Sequence, residues 1–251
     1  MLLPSAGLPQ ALAVAALVSL AGAGLASLVL PQALPAVAPP AQMELEMDAG
    51  SRKQLFTEMS RFFLVRPFVT AGAEAATMMI LEVGYSWPAV ASGLSLSLAS
   101  LAALLLSSLG AADSPARESS VFLTCSALAL LGCSLLFDLK ALGATGLLVG
   151  DALLQGTAAP ATAIAERWAK RAAAPNSSWS PEAFHLTALL SSSASRFFAP
   201  PLVRSLLAGG GRNPYGFVQL ALLTAAGCHV VRSCRLMWSV KVPREPTMPP
   251  K

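Results

Sequence analysis

Three ionisable side chains lie inside long apolar segments, where charges are rare. Glu74, Asp151 and Arg196 each fall well within a run of mostly apolar residues. An ionised side chain at membrane depth is costly, so it usually has a partner or lines a wet cavity. Two carboxylates and a guanidinium in one helical bundle could bind an ionic solute or pass protons. We interpret Arg196 as an anion contact, and Glu74 or Asp151 as a carboxylate that couples protons or cations.

Further polar residues accompany these three. Arg66 shares a segment with Glu74, and the hydroxyls of Ser192 and Ser195 precede Arg196, so we include all three in the candidate solute-binding set. A structural alternative stays open: Arg196 could pair with Glu74 or with Asp151 only to lock helices together, because buried ion pairs need not be functional.

The sequence argues against several other functions. His185 and His229 are isolated, and no cluster of His, Cys or carboxylate residues has ligand spacing, so we expect no metal site. Neither a nucleophile elbow nor a phosphate-binding glycine loop is present, so we expect no enzyme and no cofactor. The 17 Lys and Arg residues form no patch with interleaved aromatics, which argues against nucleic acid as a partner.

The composition indicates that helices in a lipid bilayer position these residues. Hydrophobic residues make up 55% of the 251 positions and charged residues 12%, whereas a soluble domain is about a quarter charged. A bilayer core needs roughly 20 mostly apolar residues per helix. We predict an all-α, multi-pass integral membrane protein with about seven transmembrane helices. The predicted spans are 9–30, 62–83, 88–109, 121–137, 142–165, 184–207 and 215–231.

The spans suggest four regions. Residues 1–30 form an N-terminal transmembrane helix, 31–60 a Pro-rich and charged cytoplasmic linker, 61–238 a six-helix bundle and 239–251 a cytoplasmic tail. Basic residues accumulate on the cytoplasmic side of membrane proteins. With the linker inside, only Lys140 and Arg212 among the loop cations fall on the opposite side.

Small residues and prolines add expectations about packing. Gly146, Gly150 and Gly156 flank Asp151 and should permit close helix contact. Pro160 and the pair Pro200 and Pro201 should kink their helices.

Several stretches carry a family resemblance. Gly110, Asp113 and Arg117 form a degenerate version of a motif that occurs in a cytoplasmic loop of one transporter family. The stretches 74–82, 196–200 and 211–215 resemble the same family. Together with the order of segments, they resemble the C-terminal half of a major facilitator superfamily transporter, preceded by one helix of the other half. The three stretches resemble those of a vacuolar phosphate-transporter-like branch of the family. The resemblance implies that the first, second, fourth and fifth helices of the bundle line a cavity.

The resemblance implies transport of a small ionic solute across a lipid bilayer by alternating access. A complete facilitator has two six-helix halves with its site between them. This chain would therefore be a truncated half, would need a second six-helix half, or would self-associate. The alternative is a membrane scaffold or regulatory subunit that transports nothing.

Overall fold

Six α-helices make up nearly all of the part of the chain that the computed structural model describes, residues 47–108, 115–139, 141–174 and 177–239. The helix expected over 9–30, the Pro-rich part of the linker and the tail beyond 239 lie outside the described residues. The helices are α1 (Ala49–Met79, continued by a π-helical turn, Ile80–Gly84), α2 (Ala89–Ser108), α3 (Pro115–Ser134), α4 (Gly143–Ala172), α5 (Pro181–Gly210) and α6 (Arg212–Ser239).

Helix α1 begins well before the predicted span over 62–83. Asp48 caps it by accepting a hydrogen bond of 3.0 Å from the Ser51 amide, and hydrogen bonds from Ser51 lower the pKa of Asp48 below its ordinary value. The charged end of the expected linker is therefore helical. Its apolar residues Leu55 and Met59 are fully buried, so tertiary packing stabilises these extra turns.

The other helix ends also carry local signals. Ser180 caps α5 through a hydrogen bond of 3.2 Å from the Ala183 amide, and Pro181 occupies the first helical position. Between α5 and α6 lies only Gly211, whose φ of 78° is in the left-handed region that favours glycine. Helices α4 and α5 each continue as one helix through their prolines. The prolines therefore do not end these helices, and a bend of the helix axis at these positions stays a prediction.

Contacts between helix ends establish the helix directions. The start of α1 meets the end of α4, where Arg52 donates a hydrogen bond of 3.4 Å to the Ala173 carbonyl. Glu58 near the start of α1 contacts His229 near the end of α6, and Phe56 packs on Phe184 at the start of α5. Thus α1 and α5 run parallel, and both run antiparallel to α4 and α6.

Basic residues concentrate at one end of the bundle, which we call the basic end. It holds the starts of α1, α3 and α5 and the ends of α4 and α6. The described basic residues there are Arg52, Lys53, Arg61, Arg117, Arg167, Lys170, Arg171, Arg232 and Arg235. The opposite end carries Arg212 at the start of α6. This asymmetry agrees with the predicted orientation, and the membrane side of each end stays a prediction.

The helices form two layers. In the first layer α2 packs on α4, α4 on α1, and α1 on α5; in the second, α3 and α6 pack on each other and cover α4 and α1. The main contacts repeat, because the α1–α5 contact matches α4–α2 and the α1–α6 contact matches α4–α3. Since α1 and α4 are antiparallel, the described bundle consists of two three-helix units with inverted orientation.

Two apolar clusters fill the bundle. Near the basic end, Phe122 packs edge to face against Phe62 and Trp168, with ring centroids 5.3 and 5.4 Å apart. Toward the opposite end, Leu81, Leu136 and other residues surround Tyr215. A close crossing of α3 and α4 lies in the same half, where Gly132 and Gly150 face each other. This contact agrees with the prediction that glycines near Asp151 permit close helix approach.

Three described helices are long and apolar enough to cross a membrane by length and composition: Ala49–Gly84, Gly143–Ala172 and Arg212–Ser239. The segment Ala89–Leu101 is apolar but shorter. Helix α5 has 30 residues, but Arg196, Arg204 and its run of serines make it less apolar. The structure thus supports an all-helical chain with three candidate spans, and about seven spans stays a prediction.

Candidate functional site

The carboxylate of Asp151 is fully buried, and no described residue forms a hydrogen bond of good geometry with it. Its exposed fraction is 0%, and Thr77 and Gln155 lie close to its oxygens without meeting the distance and angle of a hydrogen bond. Asp151 is on α4, about 12 Å from the start of that helix at 1.5 Å per residue. A buried carboxylate without donors is costly if ionised, so it calls for a bound proton or cation.

Neutral polar side chains of α1, α4 and α6 lie near Asp151. Thr77 on α1, Gln155 on α4 and Tyr215 on α6 are near enough to interact with it electrostatically. The hydroxyl oxygen of Thr77 and the amide oxygen of Gln219 are also buried and have no hydrogen-bond partner among the described residues. The other end of the Gln219 amide donates a hydrogen bond of 3.1 Å to the Tyr215 hydroxyl.

We call Asp151, Thr77, Tyr215 and Gln219 the buried polar cluster. Asp151, Thr77 and Gln219 lie at one depth, about 10 to 12 Å from the ends of their helices opposite the basic end. Tyr215 lies about one helical turn nearer that end. Sequence reasoning singled out Asp151 alone. The signal for the others was weak, since a neutral Thr or Gln within an apolar run is common in membrane helices.

Arg66 is the second buried ionisable residue of the α1–α4 contact. It is 4% exposed and donates hydrogen bonds to the Leu154 carbonyl at 3.0 Å and the Thr157 hydroxyl at 3.1 Å. Among the described residues no carboxylate interacts with it, and its Nε has no partner. Because α1 begins at Ala49, Arg66 lies near the middle of the extended helix, not near an end as the predicted span suggested.

A small cavity of about 10 Å³ lies beside Arg66, close to the volume that one water needs. Ser126 and Cys125 are among its lining residues. The cavity is too small to hold a solute larger than water beside this guanidinium.

The other predicted site residues lie at the surface or within α5. Glu74 is exposed, although it is near enough to Asp151 to interact electrostatically. Arg196 is exposed, next to Phe197, which is 73% exposed. Ser195 is buried and its hydroxyl donates to the carbonyl of half-buried Ser192 at 2.8 Å.

The structure does not bring Arg196 together with either carboxylate. Among the described residues neither Glu74 nor Asp151 forms a salt bridge with it, so the expected three-residue site and the helix-locking ion pair are both absent from the described contacts. Helix α5 packs on α1 through the stripe that contains Phe184, Ser195 and Val203, and it has little contact with α4. This packing keeps Arg196 away from Asp151.

An open cavity of about 660 Å³ lies at the end opposite the basic end, close to the buried polar cluster. Its lining combines apolar side chains with charges of both signs, among them Ile80, Glu82, Arg204 and Arg212. Arg212 is held in place by hydrogen bonds to the Leu136 carbonyl at 2.6 Å and the Tyr85 hydroxyl at 3.0 Å. We call this cavity the vestibule.

Two buried carboxylates at the basic end escaped sequence reasoning. Glu58 is 4% exposed and contacts His229, Arg61 and Arg232. Glu118 is 3% exposed and accepts hydrogen bonds of 2.8 Å from both Trp168 and Arg171. Both residues lie outside the predicted spans, so the sequence assigned them to exposed segments.

No known protein family, curated protein or solved structure matches this chain. A functional assignment therefore depends on the geometry of the chain's own residues.

Gly72 makes room for the Gln219 side chain, and this predicts the effect of a small substitution. A Cβ at position 72 would lie 2.3 Å from Nε2 of Gln219, so Gly72→Ala should displace the amide and break its bond to Tyr215. We expect a loss of about 1 kcal/mol in the free energy of unfolding, partly offset by the better helix propensity of alanine.

Gly227→Ala is the matched control, because nothing lies within 4 Å of its Cβ. This variant should be as stable as the parent or more stable in a thermal unfolding measurement. Equal behaviour of the two variants would mean that Gln219 does not occupy the position described.

Proposed function

We propose that this chain is a six-helix half of a membrane transporter that moves a small ionic solute by alternating access. The observation that carries the proposal is the pair of unpaired charges on the α1–α4 contact, Arg66 and Asp151. Both are buried in helices that qualify as membrane spans, and neither contacts a group of opposite charge among the described residues. Intramembrane ionisable residues that are not simply paired usually mark ion or substrate pathways.

The repeated packing of the helices supports the proposal. Inverted three-helix units within a six-helix half are a known building plan of facilitators. In this plan the first and fourth helices of the half face the transport path. Those helices correspond to α1 and α4, which carry the two buried charges.

The mechanism follows from the chemistry of the two residues. Arg66 would attract an anionic group of the solute once a rearrangement opens the α1–α4 contact, because its present partners are only a carbonyl and a hydroxyl. Asp151 would bind and release a proton or cation and so couple solute movement to an ion gradient. A second six-helix unit, from another chain or another copy, would complete the path.

Uptake into proteoliposomes tests this function. Radiolabelled inorganic phosphate is the first probe, because the sequence resembles a phosphate-transporter-like branch. Asp151→Asn and Arg66→Gln should each lower the uptake rate at least about 10-fold, the loss expected when a required charge at a transport site is removed. Glu182→Gln, at an exposed position at the start of α5, should leave the rate unchanged.

Two results would count against the proposal. Uptake equal to that of protein-free liposomes would show that the chain alone does not transport phosphate. Uptake that persists in both variants would remove Arg66 and Asp151 from the pathway.

The second candidate function is that of a membrane scaffold that transports nothing. The exposed charges Glu74 and Arg196 favour it, because charges on an outer helix surface suit contact with another protein better than contact with lipid. A folded chain that binds a partner, moves no solute and loses the partner in Arg196→Leu would support this alternative.

A further inference from the structure

We infer that the buried polar cluster is a binding site for a monovalent alkali cation, reached from the vestibule. The inference starts from the kinds of atoms that the cluster contains. Both oxygens of Asp151, the hydroxyl oxygen of Thr77 and the amide oxygen of Gln219 are buried without hydrogen-bond partners in the described part of the chain. Hard cations bind oxygen ligands of these kinds, namely carboxylate, hydroxyl and amide oxygens.

The charge of the cluster selects a monovalent ion. Asp151 is its one carboxylate. The Arg66 guanidinium bonds to the Leu154 carbonyl, about one helical turn from Asp151 on α4, but has no electrostatic interaction with the Asp151 carboxylate. A monovalent cation would neutralise Asp151, whereas a divalent cation would leave a buried net positive charge, which is costly. Glu74 also interacts with Asp151, but its side chain is exposed, so solvent screens its charge and the buried charge to be neutralised is that of Asp151.

A cation can engage more of the cluster's oxygens at once than a proton can. A protonated Asp151 donates one hydrogen bond, and the Thr77 hydroxyl can donate one more. Each of these bonds joins only two groups. A cation can be coordinated by several oxygens at once, including those contributed by α1, α4 and α6.

The backbone around the cluster is shaped to hold these ligands. Gly72 leaves the space in which the Gln219 amide lies, and Tyr215 fixes the amide by accepting a hydrogen bond from its nitrogen. That bond turns the amide oxygen away from Tyr215, as an acceptor without a partner. Ile80, one turn beyond Thr77, lines the vestibule, so the cluster lies near the floor of that cavity.

Thermal unfolding of the purified chain in detergent tests the site directly. The Tm is measured in NaCl, KCl or LiCl against choline chloride at constant ionic strength and pH 8. Ligand that binds only the folded state raises the Tm, so a hundredfold excess of a bound ion over its Kd should raise it by about 5 °C or more. At least one alkali cation should give a saturable rise.

Variants locate the site. Asp151→Asn should abolish the ion-dependent rise, and Thr77→Val and Gln219→Leu should reduce it. Thr77→Ser, which keeps the hydroxyl, should retain it. Glu182→Gln at the basic end is the matched charge control and should behave like the parent chain.

The site is overturned if no alkali cation gives a saturable rise, or if the rise is unchanged in Asp151→Asn. A Tm that depends on pH in an Asp151-dependent way but on no alkali cation would identify a proton as the occupant and would also overturn it. Binding does not require transport; only the role of the cation as coupling ion rests on the proposed function. A saturable rise that needs Asp151 therefore supports the site even if phosphate uptake fails.

Discussion

Gly150→Ala is expected to lower the free energy of unfolding by about 2 to 3 kcal/mol, although alanine is the better helix former. A Cβ at position 150 would lie 2.6 Å from the Gly132 carbonyl oxygen and 3.0 Å from the Cβ of Leu135. Because the first obstacle is backbone, no rotation of a side chain can relieve the clash. Helices α3 and α4 must move apart, and the contacts around Asp151 move with them.

The measurement is the fraction of folded protein after heating in mild detergent, or during a titration with a denaturing detergent. Gly132→Ala should behave in the same way, since its Cβ would lie 2.8 Å from the Gly150 carbonyl oxygen. Gly93→Ala on α2 is the control, because its Cβ meets nothing within 4 Å. If all three variants unfold together with the parent, α3 and α4 do not cross at these glycines.

Glu118→Ala is expected to lower the free energy of unfolding by about 2 kcal/mol. The substitution removes the acceptor of the buried Trp168 indole N–H and leaves Arg171 and Arg167 without their ion-pair partner. When both partners of an ion pair are fully buried, removal of one of them lowers the free energy of unfolding by about 3 to 5 kcal/mol. The lower value applies here because the side chains of Arg171 and Arg167 are 36% and 43% exposed, so water compensates part of the loss.

A surface ion pair on α4, the helix of Arg167 and Arg171, provides the comparison. Glu166 contacts Lys170 at 2.7 Å, with side chains 43% and 61% exposed, and Glu166→Ala should cost less than about 0.5 kcal/mol. The stability loss of Glu118→Gln should lie between those of Glu118→Ala and Glu166→Ala, because glutamine keeps an acceptor for the Trp168 indole. Equal stability of Glu118→Ala and Glu166→Ala would show that the Glu118 cluster contributes nothing beyond a surface ion pair.

The chain's segments were predictable from sequence to a useful degree, because apolar runs and loop residues mark helices independently of their neighbours. Each of the six described helices overlaps one predicted span. Their lengths were less predictable: α4 extends to Ala172, whereas the predicted span ends at 165, because Trp168 and Ala169 pack into the core next to charged residues. A hydropathy criterion ends a span at such charges, but tertiary packing continues the helix.

The sequence did not reveal which side chains of each helix point into the bundle. In a bilayer both the protein interior and the surrounding lipid are apolar, so periodicity does not reveal which side of a helix is buried. Asp151 and Arg196 therefore looked equivalent in sequence. Helix α5 packs mainly on α1, which leaves Arg196 at the surface, whereas α4 is covered by three helices and its Asp151 is buried.

The π-helical turn Ile80–Gly84 joins Thr77 of the buried polar cluster to Tyr85 at the rim of the vestibule. Its i to i+5 bonding holds one residue more than an α-helical turn would. Regular α-helical bonding through this turn would rotate Tyr85 by about 100° relative to Thr77. Such a rotation would carry the Tyr85 hydroxyl away from Arg212 and swing Glu82 round the helix. A change of one residue in the helical winding of α1 would thus alter side-chain positions at both the buried polar cluster and the rim of the vestibule.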